Sequence, residues 1–292
     1  MTRVISFSGG RSSAMMMRKI WTPADVVIFA NTGQEHEETL RFVRDCELHW
    51  GIPIVWVEPV VNQAPRKSTT HRVVSFDTAC RDGSLFADVS SKFGLPGPSF
   101  PHCTRELKLR PIYSYLKSIG LKSGNFVTAL GIRADEIDRM SPDADKRGLV
   151  YPLVKLGVTK LDVHEFFKNQ PFNLNLPEHH GNCTWCWKKS LKKHLTNIVE
   201  HPEWYDVPEM LERRFQYAGP AHRKGKAKGP SRMFRGGRSV QDLREMAALP
   251  FNKFTDKMRD DLEASQGCEE SCEVSGEVSG EVSGVVSGVS GA

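Results

Sequence analysis

The chain of 292 residues contains no run of eighteen apolar residues, which argues against any helix that crosses a membrane by itself. A secretory leader is not expected either, because strand-like apolar residues begin at Val4. Cysteine is sparse: seven scattered residues are too few for a secreted disulfide scaffold of this size, so a reducing, cytoplasmic compartment is expected. The first glycine turn lacks the GxxxxGK[ST] spacing of the lysine-based triphosphate loop and the GxGxxG of the dinucleotide turn. No RNA-recognition, KH or zinc-finger pattern supports sequence-specific nucleic-acid reading. From Cys268 onward there is no lysine or arginine but there are five glutamates, so residues 1–267 carry 40 basic and 30 acidic side chains. An anionic partner is expected for that part of the chain.

What is present begins with "SFSGGRSSA", Ser6 to Ala14. Val4, Ile5 and Phe7 read as the end of a buried strand, Gly9 and Gly10 can take backbone angles that strain other residues, and a helix follows to Ile20. A bend of that kind aims successive amide hydrogens at one spot, a site for phosphate. "DVVIFANTG" gives a second strand, Glu35 to Trp50 a helix and "IPIVWVEP" a third strand. The rhythm predicts an α/β fold with an open, mostly parallel twisted sheet flanked by helices, binding ligands beyond the carboxyl ends of its strands. Residues 1–170 are expected as the nucleotide-binding domain, with 62–101 an irregular insertion. Residues 171–267 are expected as a cysteine-bearing, basic, helical or irregular extension, and 268–292 as a disordered VSG-repeat tail. Further readings are a helix from Pro111 to Ile119, strands at Phe126–Ile132 and Leu149–Val154, and helices capped by Thr159 and Ser239.

Three turns leave the same predicted sheet edge. Ser8, Gly9, Gly10, Arg11, Ser12 and Ser13 offer hydroxyls, amides and a guanidinium to phosphate. "NTGQEHEET" adds Asn31, Thr32, Gly33, Glu35, His36, Glu38 and Thr39, which serve equally as helix-capping residues. In "GIRADEIDR" Arg133 and Arg139 can clamp phosphates, while Asp135 or Glu136 can hold Mg²⁺ or a ribose. Cysteine placement adds a sharper signal. "GNCTWCWKKS" holds Cys183 and Cys186 as a CxxC, and "PHCTRELKLRP" places Cys103 beside His102. A CxxC alone permits redox thiols, zinc or two buried thiols. A third cysteine permits a metal centre with His102 or a non-protein ligand as the fourth partner, iron in a [4Fe–4S] cluster preferring thiolates. Trp185 and Trp187 would shield such a centre or stack on a base. Four lysines between Lys188 and Lys193, with nine basic residues from Arg213 to Arg238, form either a solvated loop or a phosphate-backbone contact, RNA and DNA being equally allowed.

Taken together, these stretches resemble the PP-loop adenine nucleotide α-hydrolase superfamily and, within it, the phosphoadenosine phosphosulfate (PAPS) reductase-like branch. "SFSGGRSSA" is similar to the pyrophosphate loop SGGxDS at Ser8, Gly9, Gly10 and Ser13, with Ser12 where aspartate is usual. "NTGQEHEET" resembles DTGxxxxET, and "GIRADE" resembles GxRxxE. The resemblance implies an adenine nucleotide over an open α/β sheet, cleaved between its α and β phosphates so that an adenylated oxygen is replaced by sulfur or nitrogen. Relatives with [4Fe–4S] clusters use a CC pair and a distant CxxC, matched here by His102 with Cys103 and by Cys183 with Cys186. Three thiolates are similar to the cluster-dependent tRNA thiolation enzymes, whose fourth iron site is open to sulfur.

The expectation is therefore an ATP-binding, AMP-forming sulfur-transfer enzyme. Arg133, Asp135 and Cys103 are its catalytic group, Mg²⁺ its cation, Cys103, Cys183, Cys186 and His102 its metal ligands, and a nucleic acid or a sulfur-donor protein its partner. Two alternatives stand beside it. One is a PAPS or APS reductase needing Cys268 or Cys272, although "GCEESCEVSG" lacks the histidine of the reductases' nucleophile segment. The other is a non-enzymatic nucleotide-dependent nucleic-acid-binding or scaffold protein stabilised by Zn²⁺.

Overall fold

Alternation of side chains sets the layers. In β1 (Thr2–Phe7), Ile5 and Phe7 enter one hydrophobic core and Val4 another; in β2 (Val26–Ala30), Val27 and Phe29 oppose Ile28 and Ala30 in the same way. Both faces of these strands are covered, as parallel strands in α/β proteins require. The structure, a computed structural model, describes residues 1–98 and 100–255. The expected repeat tail, with Cys268 and Cys272, lies outside the described residues.

Among the described residues six strands form one sheet in the order β4-β3-β2-β1-β5-β6. Its remaining members are β3 (Ile54–Val60), β4 (Thr70–Val74), β5 (Phe126–Ala129) and β6 (Leu149–Val150). All neighbours pair in parallel except β4, which closes one edge antiparallel to β3. The chain walks outward from β1 to β4 and then returns to lay β5 on the other side of β1. This reversal opens a crevice at the carboxyl ends of β1 and β5, the usual ligand position in such sheets.

The helices in chain order are α1 (Arg11–Ile20), α2 (Glu37–Trp50), α3 (Ser84–Phe93), α4 (Arg110–Ser118), α5 (Pro152–Lys155), α6 (Lys160–Lys168), α7 (Leu191–Glu200), α8 (Asp206–Phe215), α9 (Pro220–Arg223) and α10 (Val240–Ala247). One core packs Met16 and Met17 of α1, Phe42 and Val43 of α2 and Phe167 of α6 on the Ile5 and Phe7 face. Across the sheet, Ile112 and Leu116 of α4 meet Val4, Ile28 and Val57. Each such fully buried aliphatic or aromatic side chain contributes roughly 1.5–3 kcal/mol.

Residues 62–101, expected to be irregular, contain β4 and α3. β4 escapes notice because most of its side chains are exposed or only partly covered, so it carries no apolar alternation. α3 starts after Gly83 in a left-handed conformation (φ +77°), with the Ser84 amide donating to Asp82 Oδ1 (2.9 Å). A second core joins Leu85, Phe86 and Val89 of α3 and Leu107 to Trp185, Ile198, Leu211, Phe234 and Leu243. The inserted and C-terminal segments thus fold against each other. Two further differences concern helix starts. A π-helical turn, Thr104–Leu109, runs directly into α4. The expected strand at 149–154 stops after Val150, because Pro152 has no amide hydrogen to donate and instead opens α5.

Candidate functional site

The phosphate-type bend sits at the carboxyl end of β1. Gly9 has φ +79°, and a Cβ there would lie 2.6 Å from Thr39 Cγ2 and 3.2 Å from Phe29. Only glycine meets both demands. The loop is tied internally by Ser13: the Ser8 amide donates to Ser13 Oγ (3.2 Å), the two hydroxyls of Ser8 and Ser13 are 2.9 Å apart, and Ser13 donates to the Gly10 carbonyl (2.9 Å). Gly10 lies just before the first turn of α1, where backbone amides lack partners within the helix. From the β5 side, a Cβ on Gly131 would approach Ser13 Cα to 2.7 Å, so the glycine of "GIR" allows the two loops to touch.

Arg133 reaches that bend. Its Nη1 donates to Ser12 Oγ (3.1 Å), while Nε and Nη2 donate to the two carboxylate oxygens of Asp135 (2.9 and 3.2 Å). Burial works to raise the Asp135 pKa, but the hydrogen bonds and charge of Arg133 outweigh it and hold the group below its ordinary value. Asp135 is thereby committed to orienting Arg133, and Glu136 binds Arg139 (2.5 Å) and lies 3.4 Å from Arg133.

In the second turn, the expected ligand Asn31 is a bracket. It is fully buried, donates to Glu58 Oε1 (2.6 Å) and the Cys80 carbonyl (2.9 Å), and accepts from the Gly33 amide (3.1 Å). Gly33 takes φ +76°, and a Cβ there would stand 3.0 Å from Cys80 Sγ. Thr32 donates to Glu35 Oε1 (3.0 Å), which also lies 3.6 Å from Lys108 Nζ.

The cysteine segment lies along this turn. Glu35 and Cys183 form an antiparallel bridge, the Thr184 amide donates to the Gln34 carbonyl (3.0 Å), and the His36 amide donates to the Asn182 carbonyl (3.0 Å). Trp185 Nε1 donates to Gln34 Oε1 (2.6 Å). Asn182 also donates to the Ser8 carbonyl (3.2 Å), linking the CxxC segment to the phosphate bend. Cys103, on the residue before the π-helical turn, comes from the opposite side. Cys103, Cys183 and Cys186 line one cavity together with Thr32, Glu35, Lys108, Phe86, Leu107, Trp185 and Trp187. Below the CxxC the buried ammonium of Lys189 donates to the Cys183 carbonyl (2.6 Å).

His102, expected beside these cysteines as a ligand, does not line the cavity. Its Nε2 lies 2.8 Å from the Gly94 carbonyl and its ring packs on Phe100, where burial pushes its pKa down to about 4. Glu35 and Lys108 take that place in the lining. Lys108 belongs to the segment that follows Cys103, but nothing local in the sequence marks it. The donor set suits thiolate-loving iron or zinc. The enclosed space is about 20 Å³, room for one small ion or water. A cubane cluster needs a larger space than this.

Behind the CxxC a group of imidazoles packs together. His36 stacks on His180 (ring centroids 5.4 Å apart), and both touch the Trp204 ring edge-on. Burial, with the nearby Lys189 charge, lowers His36 to about 3. Burial and neighbouring histidines lower His180 to about 4.

The phosphoadenosine phosphosulfate reductase domain family matches residues 2–141. An uncharacterized nin region protein of Escherichia phage lambda, ORF290, is 37% identical over 201 residues, 66% of this chain and 68% of the phage protein. The uncharacterized protein MJ0066 of Methanocaldococcus jannaschii is 26% identical over 118 residues, 39% of this chain and 19% of that protein. Among the described residues no helix is long and apolar enough to cross a membrane.

Proposed function

This chain belongs to the phosphoadenosine phosphosulfate reductase domain family of the PP-loop superfamily, and from that premise we propose that it is an ATP-dependent, AMP-forming sulfurtransferase. The family supports nucleotide-dependent, sulfur-related chemistry in general. The observation that carries the finer reading is the meeting of Cys103 with Cys183 and Cys186 in a cavity also lined by Thr32 and Glu35, on a segment hydrogen-bonded to the phosphate bend.

In this reading the amides of the Ser8–Ser13 bend and the hydroxyl of Ser12 bind the β and γ phosphates of ATP, which brings Mg²⁺ with it. Arg133, aimed by Asp135, offsets negative charge as pyrophosphate leaves. An acceptor oxygen attacks the α-phosphorus and pyrophosphate departs; sulfur then takes that oxygen's place and AMP departs. Cys103, Cys183 and Cys186 would hold an iron–sulfur cluster, which when bound supplies or relays the sulfur. The basic stretch from Arg213 to Arg238 suits a polyanionic acceptor such as RNA or DNA.

A second reading rests on the small volume of that cavity: a single zinc ion held by the three cysteines as a structural centre. Anaerobic purification followed by metal and acid-labile sulfide analysis, with nucleotide turnover measured on the same sample, separates the two. Sulfur transfer requires iron with labile sulfide and ATP-dependent formation of AMP and pyrophosphate in the presence of acceptor. Zinc without sulfide, and no AMP with any nucleic-acid acceptor, would reject it.

A further inference from the structure

A set of nitrogen and oxygen donors lies apart from both the phosphate bend and the thiols. His179 and His180 end the stretch that leads to the CxxC, and they face Glu200 at the end of α7. His179 Nε2 is 2.8 Å from Glu200 Oε2, and His180 Nε2 is 3.8 Å from the same oxygen. One ligand atom from each of the three residues falls within 4.8 Å of the other two. His180 is 8% exposed, and its Nε2, stripped of solvent, makes no hydrogen bond. Removing water from a ring nitrogen without replacing its partner is unfavourable, and a cation among these three donors supplies that partner.

We propose that His179, His180 and Glu200 form a binding site for a divalent transition metal of the zinc class. Zinc bonds nitrogen and carboxylate oxygen at about 2.0–2.2 Å, so tetrahedral ligands stand roughly 3.3 Å from one another. The two separations from Glu200 Oε2 lie on either side of that value, each about half an ångström from it, and all three ligand atoms lie within 4.8 Å of one another. Imidazole donors select zinc, nickel or copper over magnesium and calcium. Asn197 of α7 donates to the His179 carbonyl (3.2 Å), while the rings of His36, His201 and Trp204 wall in His180. Glu200 is partly exposed, giving an ion a route of entry.

The site lies two residues before Asn182, whose carbonyl and side chain grip His36 and Ser8. Metal here fastens α7 to the start of the segment that delivers Cys183, and it does so whatever the cysteines hold. The proposal is therefore independent of the sulfur-transfer reading.

The test compares the full chain with His180→Ala and Glu200→Gln after zinc loading and gel filtration, counting metal by mass spectrometry and checking folding by circular dichroism. The wild type is expected to retain one more equivalent of zinc than either variant, and with Co²⁺ in place of zinc the difference spectrum should carry ligand-field bands without thiolate charge transfer. Glu200→Gln preserves the size of a partly exposed side chain and serves if the alanine variant does not fold. Equal zinc content in wild type and Glu200→Gln overturns the proposal. A difference spectrum with thiolate bands also overturns it, because the lost metal would then belong to the cysteines.

Discussion

Ser12 and Ser13 are neighbours with opposite duties. Ser13 is buried and ties Ser8 and Gly10 together, whereas Ser12 meets Arg133. Ser13→Ala should lower unfolding stability by about 1 kcal/mol, because the partly buried Gly10 carbonyl and Ser8 hydroxyl lose their partner. Ser12→Ala should leave stability within about 0.5 kcal/mol yet weaken ATP binding. Denaturant titration and calorimetric nucleotide binding check both, and equal losses of stability would refute the division of labour. Asp135→Asn keeps the shape but releases Arg133, so kcat for AMP formation should fall about tenfold or more while the fold persists; a Mg²⁺-rescuable loss would instead make Asp135 a metal ligand. The glycine bend was legible in the sequence because Gly9 alone fits its backbone. Asn31 was read as a ligand because its partners, Glu58 and Cys80, lie 27 and 49 positions away, and no local pattern announces a bracket of that reach.

Titration also belongs to single residues. His194 is buried, with its Nδ1 2.7 Å from the Tyr205 hydroxyl, and burial holds its pKa well below the ordinary 6.5. The unfolded chain therefore binds a proton that the folded chain refuses. Its contribution to stability is full above pH 6.5 and declines as pH falls below that value, by up to about 1.4 kcal/mol per pH unit for one proton. Unfolding curves between pH 7 and 5 should show the summed slope of His36, His102, His180 and His194, and His194→Gln should reduce it by one proton's share. An unchanged slope would assign the acid sensitivity elsewhere.

Helix ends were read with success where side chain and backbone are close neighbours. Thr159 and Ser239 each accept from the amide three residues on, while Asp162 and Asp242 answer with their carboxylates. Ser239→Ala should cost about 1 kcal/mol, measured as a shift in unfolding midpoint, and it should loosen α10 against the second core. The element that delivers the thiols was less visible. A CxxC is plain in the sequence, but its pairing with residues 34–36 depends on a strand-like bridge too short to leave a periodic signal. Trp185→Phe removes the donor to buried Gln34 Oε1 and should destabilise by about 1–3 kcal/mol. Metal retention at the cysteines should fall with it; full retention would mean that the bridge does not position them.

For the molecule as a whole, the open, mostly parallel sheet was legible because βαβ units leave few topologies open. The second core was not, because α3 and the segment after Trp185 are joined by contacts distant in sequence, which hydrophobic periodicity cannot pair. The reading as a transferase also bears on the far end of the chain. Deleting residues 268–292 should leave AMP formation intact, whereas a reductase that relies on Cys268 or Cys272 would lose its activity. Thiol-dependent sulfite release from PAPS, abolished by that deletion, would decide for the reductase.

Asn182 touches the Ser8 carbonyl with its side chain and the His36 amide with its main chain, and its next neighbour is Cys183. With nucleotide on the bend and metal at the thiols, Asn182 would join the two places directly, and thermodynamic linkage would make any influence mutual. Whatever factor nucleotide contributes to the grip on metal at the thiols, metal returns to the affinity for nucleotide. Asn182→Ala removes the side-chain strut to Ser8 and should weaken that coupling, read as a smaller effect of metal on nucleotide affinity.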